Sequence, residues 1–105
     1  MDGQEAISAE TTRLTADLIE TVRCIDRAGI DALGDPARRV TLSSELSCLW
    51  LKTRDIGARL KELGGLPLMY RVVREVRRAS SRMCDALEDS WSARVPGYQK
   101  MKWLP

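Results

Sequence analysis

The sequence predicts an all-α fold, an antiparallel three-helix bundle running up-down-up, either closed within one chain or completed by dimerisation. Three observations carry this. Helix formers dominate and β-branched residues never alternate with polar ones over a strand length, which removes the sheet classes. Three apolar ladders recur at spacings of three and four residues, the period that keeps one helical face turned inward. Gly29, Gly34-Asp35-Pro36 and Gly64-Gly65 with Pro67 fall between the ladders. At 105 residues, the chain has the size of one domain with a core of its own. Residues 1–95 form the expected bundle and residues 96–105 a non-helical C-terminal tail, either a strap packed back on the bundle or a segment that binds a partner.

The first helix, expected over residues 5–29, carries Ile7, Thr11, Leu14, Leu18, Thr21, Ile25 and Ala28 on one face. Gly29 is expected to weaken or end it, with Ile30 to Leu33 as a further turn, and residues 34–41 to make the first connection, broken at Gly34-Asp35-Pro36 because proline cannot continue a helix. The second helix, residues 42–63, repeats Leu42, Leu46, Leu49, Thr53, Ile56, Leu60 and Leu63 without a slip, with Thr41 placed to cap its free N–H groups. Gly64-Gly65 supplies a C-terminal signal and Pro67 suits the first turn of the next helix, so the link is short and its neighbours antiparallel. The third helix, residues 67–93, follows Met69, Val73, Val76, Ser80, Met83 and Leu87. Thr21, Thr53 and Ser80 then fall at one level, either as a polar layer or as small residues whose hydroxyls bond their own backbone.

Chemistry is bounded by what the chain lacks. Without histidine there is no imidazole base, no Cys-His or Ser-His-Asp pair, and no histidine-bearing metal site. No phosphate-loop motif occurs, so neither an enzyme nor a cofactor or metal centre is expected. Cys24, Cys48 and Cys84 are too few for a closed zinc site and form no CxxC, which reads as reduced thiols. The opening MDGQEAISAE lacks the pattern of a secretory signal, and no apolar run approaches membrane-spanning length. A cytoplasmic protein that does not enter the membrane is expected.

Two surfaces invite partners. Arg71, Arg74, Arg78 and Arg82 fall on the outer side of the third helix, as a solvated face, a seat for acidic side chains, or phosphate contacts. On the second helix Cys48, Trp50 and Leu51 lie off the core ladder, which marks either a central helix covered on two sides or a docking patch, and in the tail Tyr98, Met101 and Trp103 alternate with polar residues. Trp and Tyr anchor interfaces out of proportion to their number. The expected function is therefore a non-enzymatic bundle acting through protein-protein interaction, as an assembly or regulatory subunit that includes itself among its partners. The alternative is a nucleic-acid-binding protein using the four arginines on phosphates; the net charge of +2 does not separate the two.

Overall fold

The structure, a computed structural model, describes residues 2–35, 37 and 39–100, and the side chains of all of these except 2, 4, 32 and 39–42. Three helices, α1 (Asp2–Gly34), α2 (Arg39–Ala79) and α3 (Ser81–Arg94), build an all-α bundle with no strand among the described residues. The fold class is the one the ladders predict. How the chain is divided among the helices differs from that reading at three points.

α1 runs on through Gly29 to Gly34. A glycine inside a helix costs only about 1 kcal/mol relative to alanine, which the buried Ile25 and Ala28 just before it can offset. Asp35 then turns the chain, its carboxylate accepting from the backbone N–H of Ala37 at 3.0 Å. α2 begins at Arg39, ahead of the predicted cap Thr41, whose side chain lies outside those described.

The predicted turn at Gly64-Gly65 lies inside α2, which it divides into two limbs. Gly65 has φ 70° and ψ −166°, a region open essentially to glycine alone, and Pro67 opens the second limb. The chain reverses here. Before it, Lys52 pairs with Asp17 and Arg59 with Glu10, so α1 numbers fall as α2 numbers rise and the first limb is antiparallel to α1. Leu63 shares a cleft with Ile7, yet Arg82 is bonded to Asp26 further along α1, so residues between them travel back in the direction of α1. A straight helix of 41 residues would measure about 60 Å, whereas the longest extent of the molecule is 53 Å.

The predicted third helix, 67–93, is interrupted at Ser80. Its backbone is extended, φ −158° and ψ 95°, and its hydroxyl accepts from the N–H of Met83 at 3.4 Å as the cap of α3. Ser80 also donates its own N–H to the carbonyl of Val76 at 2.8 Å, so one residue closes α2 and opens α3. Beyond this corner α3 turns back along the second limb. Its Cys84 thiol lies 3.9 Å from the Val73 carbonyl, and Tyr98 stacks on Tyr70 with ring centroids 5.1 Å apart.

The core gathers Leu18, Val22 and Ile25 of α1, Ile56 and Leu60 of the first limb, Leu68 to Val76 of the second, and Met83, Cys84, Leu87 and Trp91 of α3. Thr21 and Thr53 are buried among them, each donating its hydroxyl at 2.7 Å to its own helix, to the carbonyls of Asp17 and Trp50. They form no polar layer with each other. Trp91 is fully buried, and its indole N–H donates to the Thr53 carbonyl at 3.0 Å. That approach depends on Gly57, where a Cβ would stand 2.7 Å from the indole.

Three glycines separate these constraints. Gly65→Ala forces a side chain into a glycine-only conformation and is expected to cost about 1–3 kcal/mol. Gly57→Ala drives a methyl into the packed indole, for a cost of about 1–3 kcal/mol. Gly29→Ala, with open space around it, should stabilise by about 0.5–1 kcal/mol. Urea unfolding followed by circular dichroism checks the order, and equal midpoints for the three variants would contradict it.

Candidate partner-binding groove

Where the second limb of α2 returns along α1, the two helices leave an open groove of about 1260 Å³ between them. Its α1 wall is the ridge Ile7, Thr11, Thr15 and Ile19, four residues apart and therefore stacked on one side of the helix. Ile7 is 41% exposed, a large aliphatic side chain open to water. The threonines are less polar than they read in sequence. Thr11 donates to the Ile7 carbonyl and Thr15 to the Thr11 carbonyl, both at 2.7 Å, so their hydroxyls are engaged with the helix itself.

The opposite wall is Pro67, Arg71 and Glu75, again four apart, with Arg74 beside them; Leu68 and Val72 lie buried below. Glu75 accepts from Arg78 at 2.9 Å, and Glu10, near the same end of α1, is held by Arg59 at 2.9 Å. Arg71 and Arg74 are exposed and make no ion pair among the described residues. The groove therefore has an apolar floor and a cationic rim.

This divides the predicted arginine stripe. Arg71, Arg74 and Arg78 belong to α2, whereas Arg82 stands beyond the Ser80 corner on α3 and reaches Asp26 of α1. The four share no single helix face, because the helix that was to carry them is two.

The apolar candidates are likewise distributed. Trp50 is half-buried against the core and, with Leu51, lines a cleft against Ala86, Ser90 and Arg94. Leu51 is 41% exposed, whereas Cys48 opens on a separate cleft with Ser44, Glu45 and Lys52. Tyr98 is only 3% exposed, occupied inside the chain's own core rather than offered outward. Met101 and Trp103 lie outside the described residues.

The main site that the ladders miss is interior. Glu88 is fully buried, accepts from the Tyr98 hydroxyl at 2.7 Å, and sits 3.9 Å from the Cys84 thiol. Trp91 meets the Tyr98 ring edge-on at 5.4 Å, and the Tyr70 hydroxyl donates to the Gln99 carbonyl at 2.9 Å. Lys61 adds a bond to the Pro96 carbonyl, and Lys100 pairs with Asp89 at 3.1 Å. Val95 to Lys100 is thus a strap folded onto its own helices. The signal was present as the spacing Cys84, Glu88, Trp91, Val95, a second four-three-four ladder with a carboxylate in it.

Burial pushes the Cys84 thiol up to about 11, with the Glu88 and Asp85 carboxylates adding to the shift and Arg77 opposing it. Burial first, then the bond to Glu88, holds the Tyr98 phenol well above its ordinary range. Both stay neutral near pH 7, and a buried neutral thiol is inert as a nucleophile. The cluster fastens the strap.

Tyr98→Phe removes a donor from a buried carboxylate and is expected to cost about 1–3 kcal/mol in urea unfolding. The pH dependence follows from the raised values. An unfolded Cys84 ionises near 9, while the folded thiol keeps its proton to about 11, so the unfolded state binds fewer protons in that window and stability falls as pH rises through it. Tyr98 acts in the same direction at higher pH. A Cys84→Ala variant should lose stability less steeply between pH 9 and 11; parallel slopes would refute the assignment.

Compared with known protein families, curated proteins and solved structures, the chain matches none of them.

Proposed function

We propose that the chain is a non-enzymatic interaction module, a helical scaffold that binds another protein as an assembly or regulatory subunit. One observation carries the reading. The groove between α1 and the second limb joins an exposed Ile7 to Arg71 and Arg74, which have no ion pair among the described residues. Its volume of about 1260 Å³ exceeds the roughly 300–1,000 Å³ of small-molecule pockets, and its open form suits a chain segment better than a metabolite. Leu51 and the cleft beside Trp50 offer a second apolar contact, on which copies of the chain would self-associate.

The nucleic-acid reading draws less support, because Arg78 and Arg82 are engaged by Glu75 and Asp26 and the groove floor offers methyl groups where phosphates need donors. No helix of the described residues is long and apolar enough to cross a membrane.

A photo-crosslinking side chain at Thr12, on the groove, and another at Ser92, exposed on α3 away from it, test the reading in cells expressing the protein. Discrete protein adducts that resist nuclease are expected from Thr12 and not from Ser92. Adducts that vanish with nuclease, together with oligonucleotide binding that weakens steeply as salt rises, would favour the alternative.

A further inference from the structure

We propose that this groove seats an acidic amphipathic helix of a partner protein, its apolar side on Ile7, Ile19 and Leu63 and its carboxylates on Arg71 and Arg74. The inference rests on the interaction reading above and specifies the partner's chemistry. Length comes first: the α1 wall runs from Ile7 to Ile19, twelve steps or about 18 Å, which matches three turns of a docked helix, and the facing wall on the second limb runs from Pro67 to Glu75, about 12 Å or two turns. Form comes second, since two neighbouring helices with ridges at i and i+4 make the trough into which a third helix packs. An extended strand would find no strand edge to pair with, because both walls are helical.

Charge selects the occupant. The two arginines stand three residues apart on the rim, one turn of spacing, and a partner helix with Asp or Glu three or four residues apart presents carboxylates at the same interval. Glu75, the acid in the groove's lining, is bonded to Arg78 at 2.9 Å rather than to Arg71 or Arg74. With Thr11 and Thr15 hydroxyls turned onto their own helix, the α1 wall asks for no polar partner and rewards apolar burial. Cations thus fix the orientation and sign of the ligand, while the floor supplies the contact area.

The test uses two labelled helical peptides with the same apolar i, i+3, i+4, i+7 pattern, one with Glu and one with Lys on its flanks, titrated by fluorescence anisotropy. The wild type should bind the Glu peptide about tenfold more tightly, the size of effect two solvent-accessible charge pairs supply. Arg71→Glu with Arg74→Glu should invert that preference without unfolding, since both side chains are exposed. Ala16→Trp, filling the groove, should weaken both peptides. Equal affinity for the two peptides, no binding of the Glu peptide at millimolar concentration, or a preference that survives the charge reversal overturns the proposal. A single-stranded oligonucleotide that outcompetes the Glu peptide, or a dimer in sedimentation that excludes it, overturns it as well. If Thr12 still yields protein adducts while the Glu peptide fails, only the partner's chemistry is wrong; if both fail, the interaction reading falls too.

Discussion

The structure depends on the burial of one short stretch, Leu68 to Val76, between the other helical segments. Leu68, Met69, Val72, Val73 and Val76 are all buried, so this limb is apolar on a wider arc than a surface helix needs. Side chains of this kind each contribute about 1.5–3 kcal/mol when removed from water. The reward is available only if α1, the first limb and α3 all reach it. Gly65 and Ser80 are the two residues that allow this, one by a backbone conformation closed to other residues and one by capping a new helix where the last one ends. Each corner takes almost no chain, so nearly all the residues are left to form helix.

From this arrangement the groove follows. The second limb runs alongside the N-terminal half of α1 and gives its own buried side to the core, while α3 and the strap cover it from the far side. Nothing in the described chain lies over the near side, where Pro67 and Arg71 face Ile7 and Thr11. The interior carboxylate makes the far side firm: Glu88 holds Tyr98, Tyr98 packs on Tyr70 and Trp91, and the strap shuts that end of the core. A closed back and an open front suit the interaction function proposed above, since a preformed seat spares a partner the cost of ordering it.

Much of this was legible from residue spacing. The all-α class, the reversal at Gly64-Gly65 and the opening of the next segment at Pro67 are local effects, written in periodicity and in the backbone limits of glycine and proline. Ser80 was not, because a serine within an apolar ladder has two equally local readings, a small residue in a continuous helix or a cap of a new one. Only the tertiary gain from folding α3 back decides between them. The same break moved Arg82 from a shared stripe to a bond with Asp26. Glu88 was hidden for a related reason: a glutamate beside Asp85 and Asp89 reads as solvated, and its burial depends on Tyr98 returning from the strap. Tyr98 itself had two readings in sequence, part of a strap on its own helices or an anchor for a partner, and it takes the first. Of the groove, the arginines were visible in sequence but the α1 wall was not, since pairing Ile7 with Pro67 requires the path of the whole chain.

The reversal at Gly65 is the claim on which core and groove both stand, and a spin-label distance across α2 tests it most directly. Labels would be placed at Glu45→Cys and Arg78→Cys, with Cys24 and Cys48 replaced by serine. The two sites are 33 residues apart, so an uninterrupted helix separates them by roughly 50 Å. A limb folded back at Gly65 brings them to roughly 15–25 Å, the offset of two neighbouring antiparallel segments plus the labels. A single short-distance population is the predicted result; a dominant population near 50 Å would contradict the fold and the groove with it.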